Sequence, residues 1–192
     1  MERPKLNHHG SKRIETKRLI LRPLSNKDAY DIFININNDK QVLDYFKAPY
    51  YENFNASSID SLVRLSNDPT SYCWGIELKE IKECIGIFLQ QARNDYIGSI
   101  EIGYAIGSRY WNQGYVSEAV IAVIKYLFND INYHKITAGH VIENLASKRV
   151  LEKCGLVYEG IRKDDFFHND RYYDIIHYYI INPNHKQKIV IS

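Results

Sequence analysis

Gly107-Ser108-Arg109-Tyr110-Trp111-Asn112-Gln113-Gly114-Tyr115-Val116-Ser117-Glu118-Ala119 joins a strand-like run to a helix-like one. Upstream, residues 97–106 are apolar enough for a strand. Downstream, Val120, Ile121, Ile124, Leu127 and Phe128 recur at helical spacing over 114–128. A helix that begins here presents unpaired N–H groups and the positive end of its dipole. Phosphate oxygens can accept from such groups. Gly114 removes a side chain where the backbone must approach a ligand, or where the turn needs an unusual dihedral. Taken alone, the same residues also describe an ordinary helix with a glycine turn before it. No Gly-Lys-Ser/Thr follows, so the loop is not a P-loop, and no Rossmann fingerprint is present.

Toward the N-terminus, Leu19-Ile20-Leu21-Arg22-Pro23-Leu24 reads as a first strand, closed by proline. Ser25 or Asn26 then caps a helix carrying Ala29, Ile32, Phe33 and Ile36, which Asn37-Asn38-Asp39 ends. A second helix is expected over 57–65, with Ile59, Leu62 and Val63 inward. Strand-like runs follow at 72–79, 85–91 and 97–106, joined by short polar turns, and these imply an antiparallel meander. Beyond the loop, 135–142 reads as a strand and 144–154 as a helix with Asn144 at its start. Gly155 takes the left-handed position at its end, and strands follow at 156–161 and 172–181. The order is strand, helices, three strands, helix, strand, helix, two strands. It predicts an α/β fold, an α+β mixed sheet with helices on both faces. A doubly wound dinucleotide fold, which would alternate throughout, is excluded.

The 192 residues suit one domain over 14–182, with 1–13 and 183–192 expected as tails. A net charge of +2 and the lack of a Lys/Arg block predict no nucleic-acid partner. No apolar run reaches the roughly 18 residues of a membrane span. Cys73, Cys84 and Cys154 are odd in number and form no C-x-x-C pair, which predicts reduced thiols and a cytoplasmic protein. His134, His140, His168 and His177 lack metal-ligand spacing, so they are read as core or surface residues and no metal is expected.

Glu101-Ile102-Gly103-Tyr104, then Tyr110-Trp111-Asn112-Gln113-Gly114-Tyr115 and Ser117-Glu118-Ala119, resembles the acetyl-CoA motif of the GNAT acetyltransferases. Asn144-Leu145-Ala146-Ser147-Lys148-Arg149-Val150-Leu151-Glu152-Lys153-Cys154-Gly155-Leu156, followed by Glu159-Gly160, resembles a second motif of the ribosomal-protein N-acetyltransferase (RimJ/RimL-like) branch. Glu15-Thr16-Lys17-Arg18-Leu19-Ile20-Leu21-Arg22-Pro23 is similar to that branch's first strand. The resemblance covers about residues 14–182. It implies a mostly antiparallel sheet splayed between its fourth and fifth strands, here 97–106 and 135–142, with acetyl-CoA as cosubstrate. The pantetheine arm would run along the backbone of Tyr104, Ala105 and Ile106. The cofactor loop would be Trp111, Asn112, Gln113, Gly114, Tyr115, Val116 and Ser117, with the pyrophosphate on amides from Asn112 to Ser117. Asn144 would reach the cofactor from the second helix. The sequence departs from the family in three places. Val116 stands where glycine or alanine closes the loop, Asn112 where this branch often has glycine, and Leu151 where many members carry a tyrosine acid.

Acetyl transfer needs a neutral amine, a polarised thioester and a proton for the leaving thiolate. A peptide α-amine titrates at about 7.7–8.0 and lysine near 10.4, so an α-amine needs less help from a base. Glu101, on the strand beside the cleft, is the candidate base. Ser147, three residues past Asn144, is the candidate donor to the thiolate. Asp164 and Asp165, after the sixth strand, border the region where the acceptor is expected, and Tyr45, Tyr50 and Tyr51 flank Pro49 at its mouth. The expected acceptor is a primary amine, foremost a protein N-terminus such as that of a ribosomal protein. A polyamine or aminoglycoside, or a non-catalytic acyl-CoA-binding module, stays open as an alternative. A homodimer through an edge strand or helix is compatible with this reading.

Overall fold

Leu19 and Leu21 are buried, whereas Ile20 and Arg22 beside them are only half-buried. This is the period-two signature of a strand with its main core on one face. The computed structural model describes residues 5–168 and 170–185. Its strands are β1 (Ile14–Glu15), β2 (Leu19–Arg22), β3 (Cys73–Leu78), β4 (Glu83–Asn94), β5 (Ser99–Ile106), β6 (Lys135–Val141), β7 (Val157–His168) and β8 (Arg171–Ile181). The helices are α1 (Ala29–Ile32), α2 (Lys40–Leu43), α3 (Asp60–Asn67), α4 (Tyr115–Asn129) and α5 (Leu145–Lys153). A wide π turn, Phe33–Asn37, continues α1.

One eight-stranded sheet runs in the order β1-β2-β3-β4-β5-β6-β8-β7. Neighbours are antiparallel except β5 and β6, which are parallel. α4 buries Ala119, Val120, Val123, Ile124, Leu127 and Phe128 against one face, where Trp74, Phe88, Ile100 and Ile102 meet them. The other face carries Leu24, Ile32, Ile36, Val42 and Ile59, packed with Ile87 and Ala105. The mixed sheet with helices on both faces therefore agrees with the sequence expectation.

Several expectations are corrected. Residues 5–13, expected to be a tail, are packed onto the sheet. The Asn7 amide donates to the Ile131 carbonyl at 3.0 Å. The Lys12 carbonyl accepts from Trp74 Nε1 and the Gly10 carbonyl from the Tyr126 hydroxyl, each at 2.7 Å. These carbonyls satisfy donors that burial would otherwise leave without partners. Ile121, placed with the inward residues of α4, is exposed. β7 continues to His168 and forms a long hairpin with β8, so Asp164 and Asp165 lie within a strand. β7 is an edge strand with little buried surface, so its sequence lacks the apolar alternation that would announce it. The expected tail over 183–192 lies outside the described residues except for a short turn at Pro183–His185.

Candidate active site

Gly114 sits just before α4 with φ at +79°, in the left-handed region that glycine adopts without strain. Asn112 is also left-handed, at +59°, and asparagine is among the few other residues that tolerate this. The first backbone bond of α4 is donated by Glu118 to the Gly114 carbonyl, at 3.1 Å. Among the described residues, the amides of Tyr115, Val116 and Ser117 ahead of it have no hydrogen-bond acceptor. They form an anion-compatible cradle of the kind a diphosphate fits. Trp111 Nε1 donates to the Ile106 carbonyl at 2.9 Å, so this indole anchors the loop to the end of β5. Val116 packs against the core under α4.

A hydrogen-bond network holds the loop from behind. Glu118 Oε1 accepts from Thr16 Oγ1 at 2.6 Å and from the Arg18 amide at 2.8 Å, and Oε2 accepts from Arg18 Nε at 2.7 Å. Arg18 Nη1 donates to the Gln113 carbonyl at 2.9 Å, and its guanidinium lies 4.4 Å from the centre of the Tyr115 ring. Burial pushes the Glu118 carboxyl up, but the bonds from Thr16 and Arg18 outweigh it and hold the group below its ordinary range.

β5 pairs with β4 along its whole length but with β6 only over Ser99–Glu101, against Lys135–Thr137. From Ile102 onward its β6-facing edge has no strand partner, and the two strands part. Residues on the two faces of β5 meet different surroundings at this opening. Tyr104 points to the α4–α5 side, and its hydroxyl lies 2.9 Å from Ser147 Oγ on the first turn of α5. Burial raises the Tyr104 phenol well above its ordinary value, against a smaller opposing pull from Ser147, so it stays protonated. Asn144 caps α5, its Oδ1 accepting from the Ser147 amide at 3.0 Å.

On the opposite face, Glu101 lines a cleft of about 410 Å³ together with Thr137, Gly160 and His177. The other carboxylate lining this cleft, Glu159, is paired with Lys135. Asp165, on the adjoining stretch of β7, lies 3.6 Å from Arg162. Among the described residues, Glu101 has neither an ion-pair partner nor a side-chain hydrogen bond.

Residues 18–157 match the model of the acetyltransferase (GNAT) domain. The chain belongs to the GNAT family. It is 33% identical over 172 residues to the uncharacterized N-acetyltransferase YoaA of Bacillus subtilis, covering 88% of this chain and 97% of that protein. It is 29% identical to the spermidine N(1)-acetyltransferase of Vibrio cholerae, covering 87% and 95%. Among solved structures, a GNAT-family acetyltransferase from Bacillus anthracis superposes with a TM-score of 0.76 at 26% identity, covering 88% of this chain and 98% of that one. RimL, a ribosomal L7/L12 α-N-protein acetyltransferase solved with coenzyme A, shares the fold at a TM-score of 0.79 and 18% identity, covering 88% and 98%.

In this GNAT acetyltransferase the residues singled out from sequence fall into three groups. Trp111, Asn112, Gln113, Gly114, Tyr115, Val116 and Ser117 form one loop and helix start. Tyr104, Ala105 and Ile106 lie on the stretch of β5 that does not pair with β6, although the Ile106 carbonyl is already used by Trp111. Tyr104, Ser147 and Asn144 are linked through hydrogen bonds at the head of α5, and Glu101 stands apart from them on the cleft face. Sequence reasoning gave Tyr104 a backbone role and missed its hydroxyl. It also missed the Glu118–Arg18–Thr16 network, whose members all stand in the quoted motifs, and it read His177 as core or surface. No helix among the described residues is long and apolar enough to cross a membrane.

Proposed function

We propose that this GNAT enzyme, as a member of the RimJ/RimL-like branch, acetylates a protein N-terminal α-amine with acetyl-CoA as cosubstrate. One observation carries the reading: the β5–β6 pairing breaks just past Glu101, with a free carboxylate on one face of β5 and the Tyr104–Ser147 hydroxyl pair on the other. The diphosphate would sit on the amides of 112–117. The pantetheine arm would follow the open edge of β5 at Tyr104 and Ala105, and Asn144 would approach it from α5. The amine would enter from the cleft, with Glu101 as its base. Ser147, hydrogen-bonded to Tyr104, would protonate the departing thiolate. Alignment of amine and thioester supplies a large part of the acceleration in such a site.

The charge pattern of the cleft favours an acceptor with one ammonium. Glu159, the other carboxylate lining the cleft, is paired with Lys135, which leaves Glu101 to meet a single positive group. A polyamine carries several separated ammonium groups and would call for several free carboxylates. The similarity to a spermidine acetyltransferase supports the small-amine alternative. The deciding experiment follows thiol release from acetyl-CoA with peptides bearing a free N-terminus, N-blocked lysine peptides, spermidine and an aminoglycoside. Preferential turnover of free N-termini is expected. Preferential turnover of spermidine would replace this acceptor, and binding of acetyl-CoA without turnover on any amine would reduce the protein to an acyl-CoA-binding module.

A further inference from the structure

His177 lies on β8, on the same face as Glu101. It stands in register between two glycines, Gly139 of β6 and Gly160 of β7. A Cβ on Gly139 would stand 2.7 Å from Ile175 Cγ2, 3.4 Å from His177 Cε1 and 3.6 Å from Nδ1, and one on Gly160 would meet nothing within 4 Å. The Cε1–Nδ1 edge of the imidazole therefore faces β6, and the ring lines the same cleft as Glu101 and Thr137. Gly139 is two residues beyond Thr137, the last residue of β6 paired with β5. The ring thus stands at the level where the two strands part.

Its two nitrogens face different surroundings, Nδ1 the Gly139 side and Nε2 the Asp165 side. Nε2 is buried and has no hydrogen-bond partner. The nearest carboxylate, Asp165 Oδ2, is 3.7 Å away, too far for a hydrogen bond. Buried polar nitrogens are seldom left unsatisfied, and an exception calls for an explanation. His140 Nε2 is in the same condition, but its ring packs against Tyr178 on the core face and does not line the cleft. The placement of Asp165 is itself built. β7 breaks register between Arg162 and Phe166, Asp164 is left-handed at φ +51°, and Asp174 Oδ1 accepts from the Asp164 amide at 3.1 Å. That bulge holds Asp165 beside the ring.

We propose that His177, oriented by Asp165, is a second proton acceptor for the incoming amine, which is held between it and Glu101. β5 and β8 are two strand spacings apart, about 10 Å. Side chains reaching inward from both leave room for an amine nitrogen and one water. The inference rests on the amine acetylation proposed above. The acceptor arrives as an ammonium, and its first proton passes to His177 Nδ1, the nitrogen on the Gly139 side, and on to bulk water. The freed lone pair forms the N–C bond at the thioester carbonyl carbon, and the C–S bond breaks with its electron pair leaving on sulfur. Glu101 takes the second proton from nitrogen. The Ser147–Tyr104 pair gives one to sulfur and recovers it from Glu101 through solvent, so one proton is released per turnover.

The test measures kcat/KM from about pH 5.5 to 9, across the ordinary histidine and α-amine ranges, using acetyl-CoA and a peptide with a free α-amine. His177→Gln is expected to lose about 100-fold near pH 7, the scale of a general base. The loss should shrink as the amine arrives neutral at high pH, with the KM for acetyl-CoA unchanged. Asp165→Asn should lower kcat about tenfold with the KM for acetyl-CoA unchanged, because the ring loses the carboxylate that orients it, a part of the base's contribution. Arg162, Arg93, Lys135, Glu159, Glu101 and, through the sheet, His140 also face this ring and stay constant in both variants. Full activity in His177→Gln, or a uniform loss at every pH, overturns the assignment. If His177→Gln does not fold, full activity in Asp165→Asn overturns it instead. A wild-type protein that binds acetyl-CoA but releases no thiol with any amine removes the proposed function and this inference together. An active wild type with an indifferent His177→Gln removes this inference alone.

Discussion

Replacing Gly114 separates backbone strain from charge at the proposed diphosphate site. A Cβ at this position would meet only Arg18 Nη2, at 3.5 Å, which is ordinary contact. Gly114→Ala therefore adds left-handed strain without a clash, about 1–2 kcal/mol. For a chain of this size that corresponds to a melting temperature lower by roughly 2–8 °C. Gly114→Glu carries the same strain and adds a carboxylate beside the phosphates. At about 6 Å from two negative charges, the repulsion is about 1.4 kcal/mol in bulk water and about 5.5 kcal/mol at an effective dielectric of ~20. Arg18 is already engaged by Glu118, which limits how far it can neutralise the new charge. Even the lower figure raises the acetyl-CoA Kd about tenfold for Glu relative to Ala. Titration calorimetry on both variants measures the ratio, which should fall at high salt as screening grows. Equal Kd values in two folded variants would refute the placement of the diphosphate on this loop.

Glu118→Ala removes three charge-assisted hydrogen bonds, one of them an ion pair with Arg18, and should cost about 2–3 kcal/mol, read as a lower melting temperature and weaker acetyl-CoA binding. Because the folded-state Glu118 carboxyl titrates below its ordinary 4.5, its contribution is fully present above that pH and disappears as pH falls through the folded value. The stability gap between wild type and Glu118→Gln should therefore narrow in acid melts below about pH 4.5, and a gap constant with pH would contradict the network's role. Glu101→Gln should lower kcat about 100-fold with the acetyl-CoA KM unchanged, the scale of a lost general base; full turnover in the folded variant argues against Glu101 as base. Tyr104→Phe and Ser147→Ala should each lower kcat about tenfold or more with the acetyl-CoA KM unchanged, and the double variant should be no worse than the more damaging single one, as for groups acting as a unit.

The sheet and its two helical layers were legible because period-two and helical spacings are strong wherever one face is buried. Leu19 and Leu21, the meander at 72–106, and the stripe of α4 all show it. The failures lie where burial is slight or local chemistry decides. β7 carries Tyr158, Glu159, Lys163, Asp164 and Asp165 on an edge and is specified by pairing with β8 rather than by its own pattern. Residues 5–13 have little apolar content, yet Trp74, Cys73 and Tyr126 need their carbonyls and Ser11 as partners. Val116, suspect at the loop because of its bulk, turns toward the core, where bulk is an asset. Leu151, where the motif resemblance leads one to expect a tyrosine acid, is fully buried. The phenol nearest Ser147 comes instead from Tyr104, a residue distant in sequence, and that juxtaposition needed the fold to become visible.

The two halves of the proposed chemistry follow from the alternation of a single strand. Ile100, Ile102, Tyr104 and Ile106 share the face that packs under α4 and α5, while Glu101, Gly103 and Ala105 share the other. Because successive side chains on a strand point to opposite sides, three residues of spacing put Glu101 and Tyr104 on opposite faces of the opening. A thioester threaded between β5 and β6 would then meet the amine from the Glu101 face and release sulfur toward the Tyr104–Ser147 face. A one-residue slip of β5 against β4 would exchange every side chain between the faces. The register that buries Ile100, Ile102 and Ile106 is thus also the register that separates base from acid. Inserting one residue between Glu101 and Tyr104 should therefore abolish turnover even if β5 re-pairs, and retained acetyl transfer in a folded insertion variant would show that the two groups do not act from opposite faces.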